Sequence, residues 1–133
     1  MVIEESLVAA LELWAPLAES RVFPLRIESG TPLPSICVIR IGGIPRDEHL
    51  LGISGLCRTE FQIDCWAWSY ADVKALAREV RLGIVRHPRQ TALVQDGPRV
   101  GGMRLEDDTD DYSLSGEAYR VIMRVHVTHT EEI

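Results

Sequence analysis

Two stretches of the chain alternate apolar and polar residues with a period of two, and each predicts a strand with one buried face. In the first, residues 57–68, the apolar face holds Cys57, Thr59, Phe61, Ile63, Cys65 and Ala67 and the polar face holds Arg58, Glu60, Gln62 and Asp64. In the second, residues 118–129, the apolar face holds Tyr119, Val121, Met123, Val125 and Val127 and the other holds Arg120, Ile122, Arg124 and His126.

Two further stretches have helical spacing. A first helix is predicted over residues 2–15, and Pro16 removes the amide donor that would continue it. Its apolar stripe consists of Ile3, Leu7, Ala10, Leu11 and Trp14. A second helix is predicted from Ser69 to His87, directly after the first alternating strand and before Pro88. Ser69 suits an N-cap, and Asp72 follows three residues later as in a capping box.

The remaining segments are less regular. We predict a short strand at 21–24, a central strand at 35–41 that is apolar on both faces except at Arg40, and a weaker strand over 92–106. Residues 42–55 are a long, glycine-punctuated connection, and the acidic run 106–111 is interpreted as a solvated loop.

This order of elements predicts the fold class α+β, with a mainly antiparallel sheet of about four strands and two helices packed on one face. The chain has 133 residues, so we expect a single domain over 1–133. Water or a partner covers the opposite, polar face of the sheet.

The composition is that of a globular protein, with a net charge of -6 and 46% hydrophobic residues. No apolar run reaches the roughly 20 residues of a membrane helix, so we expect no membrane partner. The negative charge argues against a protein whose main function is to bind nucleic acid tightly. An acidic surface that surrounds DNA would instead let the duplex slide past. Three cysteines without metal-like spacing favour a reducing compartment.

No combination of residues predicts an active site. His126 and His129 are three apart on a strand, so they point to opposite faces and cannot share a metal. The acidic run lacks the glycine of a calcium-binding loop. We therefore expect no catalytic residue, no cofactor, no metal and no enzymatic activity.

The polar sheet face offers an interaction surface instead. Trp66 and Trp68 lie on it at i and i+2, where they either cover a helix end or loop, or anchor an interface. Mixed charge on the same face suits subunits that must choose a register. The candidate subunit or partner interface residues are Trp66, Trp68, Arg58, Arg124, Ile44, Leu50, Leu51 and Arg99.

Several segments occur in an order that carries a resemblance over nearly the whole chain. An amphipathic helix precedes Arg21-Val22-Phe23-Pro24, and Pro32-Leu33-Pro34 leads into an apolar strand. The junction 62–72, an acidic segment and a last strand beginning Tyr119-Arg120-Val121 follow. In this order the chain resembles the small tail-completion proteins, also called tail terminator or head–tail joining proteins, of long-tailed bacteriophages, prophages and related domesticated phage-like particles.

The resemblance implies a structural virion protein. Such a protein caps the head-proximal end of the tail tube as a ring, commonly a hexamer, and joins the tail to the neck and head. Its expected partners are itself, the tail tube protein and a neck or head completion protein, with DNA passing through the lumen without sequence-specific binding. It is assembled in the bacterial host cytoplasm and located in the virion. The 42–55 arm or the sheet edge is expected to meet the neighbour, and the 97–116 segment to face the lumen or the tail. The alternatives are a portal-side neck protein and a small ligand-binding α+β domain.

Overall fold

Two helices lie against one face of a six-stranded sheet in the computed structural model, which describes residues 2–28, 30–44, 56–113 and 117–130. In chain order the elements are α1 (Ile3–Trp14), a 3₁₀ turn (Pro16–Ala18), β1 (Val22–Pro24), β2 (Ser35–Ile44), β3 (Leu56–Ala67), α2 (Tyr70–Arg86), β4 (Thr91–Ala92), β5 (Arg99–Ser113) and β6 (Ala118–Thr130). The strands are arranged β1-β2-β3-β6-β5-β4. Only the pair β1–β2 is parallel among those described.

The predicted fold class is confirmed. The sheet has six strands rather than about four, because short strands extend both edges: β1 has 3 residues and β4 has 2. They cover only Arg99 and Val100 of β5 and residues 36–38 of β2, so the remainder of β5 and of β2 forms the edges of the sheet. No helix in the described ranges is long and apolar enough to cross a membrane.

The core lies between the helices and the apolar faces of β2, β3 and β6. The residues predicted to face inward on β3 and β6 are buried, with Phe61 and Met123 fully enclosed, except Tyr119, which is partly buried against the core. Each large side chain of this kind contributes about 1.5–3 kcal/mol by leaving water. The helices cover this face with the buried side chains Ile3, Leu7, Leu11, Val73, Leu76, Val80 and Ile84.

The junction between β3 and α2 forms as the sequence predicts. The Ser69 hydroxyl accepts a hydrogen bond of 3.1 Å from the Asp72 backbone N–H, which satisfies one of the free donors at the start of α2. Helix α2 ends at Arg86, before an extended His87 and Pro88. Strand and helix therefore meet with only two residues between them, and this fixes α2 over the sheet.

The acidic run 106–111 is part of β5, so the prediction of a solvated loop is wrong. Strand β5 pairs with β6 from Val100 to Ser113. The sequence pattern shows no apolar face here because cations, rather than apolar contacts, balance the side chains on both faces of this strand. The glycine pair at 101–102 does not end the strand but lies at a register shift between Val100 and Gly102.

The contact between the helices depends on one glycine. A Cβ placed on Gly83 of α2 would lie 2.5 Å from the indole ring of Trp14 at the end of α1. Any side chain at position 83 therefore forces the Trp14 ring to move, even though alanine favours a helix over glycine by about 1 kcal/mol.

We predict that Gly83→Ala lowers the free energy of unfolding by about 1–3 kcal/mol, because the close helix contact becomes overpacked. In a Trp14→Ala background the same substitution is expected to be neutral or stabilising, since the ring is gone. Chemical denaturation of the four proteins of this cycle measures the coupling. Equal effects of Gly83→Ala in both backgrounds would contradict the account.

Candidate interaction surfaces of the sheet

The outer face of the sheet, away from the helices, carries aromatic, polar and charged side chains that face one another on neighbouring strands. The register of β3 and β6 places Trp66 opposite Arg120, Gln62 opposite Arg124 and Glu60 opposite His126. Favourable side-chain pairs directly across an antiparallel strand pair each contribute about 0.2–1 kcal/mol. The polar face predicted from the alternation is therefore organised into cross-strand pairs.

Arginines of β6 hold the acidic segment of β5 on this outer face. The Arg124 guanidinium forms a bidentate ion pair with Asp107. Its Nη2 lies 2.6 Å from Oδ2, and its Nε lies 3.2 Å from Oδ1. Arg120 binds Asp111 in the same way. The hydrogen bonds from Arg124 and Arg120 hold the pKa values of Asp107 and Asp111 below their usual range.

Helix α2 binds the same strand from its other face. Arg81 forms an ion pair with Asp108 at 2.8 Å, and Lys74 forms one with Asp110 at 3.1 Å. The Tyr70 hydroxyl donates to Asp110 at 2.8 Å, and this hydrogen bond is the main cause that lowers the pKa of Asp110. Carboxylates on both faces of β5 thus have cationic partners, which explains why an acidic segment forms a strand.

Trp66 and Trp68 both lie outside the core, on the outer face. The half-buried Trp66 ring lies 4.9 Å from the Arg120 guanidinium carbon, within range of a cation–π contact. Trp68 follows the end of β3 and exposes 59% of its surface. Both line a groove of about 570 Å³ between the 25–33 segment and the sheet. An exposed indole beside an apolar groove is typical of a protein interface.

Asp64, predicted on the polar face that water or a partner covers, is buried at this groove within the chain itself. It accepts a hydrogen bond of 2.9 Å from the Gln62 amide and lies 3.6 Å from Arg120. Burial raises the pKa of the Asp64 carboxyl despite these partners. Beside it on β2, burial and the Asp64 charge raise the pKa of the Cys37 thiol to about 11, which disfavours the reactive thiolate form at neutral pH.

The other predicted interface residues lie elsewhere on the sheet. Arg58 and Arg99 are exposed at the end of the sheet where β3 and β5 begin, and Arg124 lies midway along β6. Ile44 is the last residue of β2, its backbone opposite Arg58, while Leu50 and Leu51 lie outside the described residues. Among the described residues, the candidates are therefore spread over both ends and the middle of the sheet and do not form one patch.

A second groove, of about 550 Å³, lies at the end with Arg58. Its lining includes Arg58, Arg89 and Arg104, with Gly101 and Gly102 between them. None of the three arginines has an ion-pair partner among the residues that the structure describes. Sequence reasoning singled out Arg58 but missed Arg89 and Arg104, because they come from separate segments that only the fold brings together.

One cluster has the composition of a metal site. Ligand atoms of Glu60, Glu106 and His126 all lie within 4.8 Å of one another, on three neighbouring strands. His126 Nε2 is 2.5 Å from a Glu106 carboxylate oxygen, and both glutamates add to the raised pKa of Arg124. Since Arg104 also lies opposite His126 on β5, a divalent cation would meet competing positive charge. We interpret the cluster as an ion-pair network.

The contrast between the buried Asp64 and the exposed Asp111 gives a test by pH. Because the folded protein raises the pKa of Asp64 above its usual 3.8, folding binds a proton there, and stability falls as pH rises through the folded-state pKa. Asp111 behaves in the opposite way: its lowered pKa adds stability above the usual value, which is lost on acidification.

We predict that Asp64→Asn leaves stability at pH 7 equal or higher, because Asn avoids the buried charge and still accepts from Gln62. The matched change Asp111→Asn is expected to lower stability at pH 7 by removing a partner of Arg120. Thermal unfolding from pH 3 to pH 7 measures both. A loss at pH 7 from Asp64→Asn as large as that from Asp111→Asn would show that the ionised carboxylate stabilises the groove.

Comparison with known proteins shows which family this chain resembles in sequence and in fold. A chain from a structure titled virion of native gene transfer agent particle shares the fold, with a TM-score of 0.66 and 16% sequence identity. The alignment covers 98% of this chain and 96% of that one. No curated protein matches this chain. The family model described as tail completion protein gp17 matches residues 3–130. The predicted resemblance is confirmed, and the chain belongs to the tail completion protein gp17 family, a family of structural proteins and not of enzymes.

Proposed function

We propose that this protein forms a closed ring, a hexamer, that caps the head-proximal end of a phage-like tail tube and joins the tail to the neck. The observation that carries the proposal is the family match over residues 3–130. The shared fold with a chain of the gene transfer agent virion supports it, because that alignment spans both chains almost completely. The virion is accordingly the proposed location.

The charge distribution suits a ring through which DNA passes. The net charge of -6 disfavours tight binding of phosphates, so a lumen lined by this protein would let the duplex move. Much of the positive charge on the outer face is already neutralised, as in the pairs Arg124–Asp107 and Arg120–Asp111. In this proposal the partners are other copies of the chain, the tail tube protein and a neck or head completion protein, and DNA is not bound by sequence.

The groove beside Trp66 and Trp68 supports the assignment of one subunit or tube contact. Trp68 is large, exposed and placed on a rigid strand end, so burying it costs little conformational entropy. A contact between this end of the sheet and a different surface of the next subunit is heterologous, which is the geometry that closes a ring. The other contact expected from the sequence, through the 42–55 segment, falls mostly on residues 45–55, which lie outside the described residues.

We predict that Trp68→Ala keeps the fold and weakens assembly by about 2 kcal/mol, roughly 30-fold in the association constant, because a central aromatic anchor is lost. Light scattering of the purified protein, with and without isolated tail tubes, measures the assembly. Leu13→Ala is the matched control, since Leu13 is 75% exposed on α1, on the opposite side of the sheet.

Unchanged assembly of Trp68→Ala, on its own and on tubes, would exclude this groove as the contact. A wild-type protein that binds portal-side neck proteins but never tubes would favour the alternative position on the head side of the joint.

A further inference from the structure

Among the residues that the structure describes, unpaired side chains of opposite charge lie at the two ends of the sheet. Five arginines without an ion pair in the described part of the chain gather around the start of β3 and β5 and the end of α2: Arg58, Arg86, Arg89, Arg99 and Arg104. In a chain with a net charge of -6, such a concentration of free cations on one end is unexpected from composition.

Three of these arginines line one groove. Arg58 from β3, Arg89 from the turn after α2 and Arg104 from β5 line the groove of about 550 Å³. Gly101 and Gly102 also line it and have no side chains, so another chain can approach the backbone closely there. Planar guanidinium groups converging on an open groove are suited to carboxylates.

The opposite end of the sheet presents free carboxylates. Asp72 is exposed in the first turn of α2, just after β3, and Glu117 is exposed just before β6. Neither has an ion-pair partner among the described residues. The pairing of Ala67 with Tyr119 places the two segments at the same end, beside the exposed Trp68.

The distance between the ends favours contact between molecules. Strand β3 has 12 residues, so at ~3.3 Å per residue its ends lie roughly 36 Å apart. The arginine groove therefore cannot reach Asp72 or Glu117 of its own chain. Two copies placed head to tail bring the opposite charges together, and the same contact repeats around a ring.

We propose that the groove of Arg58, Arg89 and Arg104 is a docking site for the Asp72 and Glu117 end of a second copy of this chain. This inference rests on the proposed ring and specifies its contact. Carboxylates of a second copy suit the groove better than DNA phosphates, because a protein with a net charge of -6 repels a long polyanion more strongly than it repels two carboxylates.

The test uses charge reversal in two variants. The first carries Arg58→Glu and Arg104→Glu, and the second carries Asp72→Arg and Glu117→Arg; all four side chains are exposed, so the fold is expected to remain. Each variant alone should self-associate at least about tenfold more weakly than the wild type, with or without tail tubes. Mixed in equal amounts they should assemble again, because every contact in an alternating ring then joins opposite charges.

Matched controls separate this contact from general charge effects. Arg78→Glu reverses another exposed arginine on α2 that has no ion pair with any described residue, and Glu12→Arg reverses an exposed carboxylate on α1. Both should assemble as the wild type does. Arg89→Glu alone provides a milder change in the groove, and thermal unfolding checks that every variant is folded.

Three outcomes would overturn the proposal. Groove variants that assemble like Arg78→Glu would show that no copy docks there, while the ring itself would still stand. If the groove variants assembled normally but lost the wild-type protein's binding to a fluorescent DNA duplex, the groove would be a site for phosphates. A wild-type protein that never self-associates, on tubes or alone, would overturn the ring together with this contact.

Discussion

The long antiparallel pairing of β3 with β6 is the constraint on which the rest of the structure depends. It runs without a register shift from Leu56–Thr130 to Ala67–Tyr119. On its inner side this register stacks Ile63 against Met123 in the core. On its outer side it places Trp66 against Arg120. A slip by one residue would exchange the two faces and lose both sets of contacts.

Strand β5 extends the sheet beyond β6, and a different kind of interaction holds it in place. Where β3 and β6 are held by apolar packing, the acidic half of β5 is held by cations from β6 on one side and from α2 on the other. Exposed ion pairs are individually weak, but a network on a fixed strand pair restricts each partner. Among the described residues, the charges midway along the sheet are therefore paired, whereas several arginines at one end and two carboxylates at the other have no ion-pair partner.

The sequence alone predicts those elements whose pattern is local. The alternation in 57–68 and the Ser69 cap require only neighbouring residues, and both appear in the structure as expected. The acidic strand could not be recognised, because its stabilising partners Lys74, Arg81, Arg120 and Arg124 are distant in sequence. Burial of Asp64 was missed for the same reason, since the 25–33 segment that covers it comes from another part of the chain.

The candidate interaction surfaces could likewise be predicted only where neighbouring residues determine them. Alternation assigned Trp66, Trp68 and Arg58 to one face correctly, but a pattern of period two does not show which positions gather into grooves. The arginine groove needs residues from β3, β5 and the turn after α2, so only the folded arrangement shows it. Family resemblance supplied the biological role that residue chemistry alone left open.

Deleting the gene for this protein from the genome that encodes the particle is the most direct test of its role in tail completion. Electron microscopy of the resulting lysate, with the purified protein added back in parallel, shows whether tails join heads. The account predicts DNA-filled heads separate from tails, tail tubes of uncontrolled length because nothing caps them, and joining restored by the added protein as a ring at the tube end. Normally tailed particles in its absence would contradict a role in tail completion.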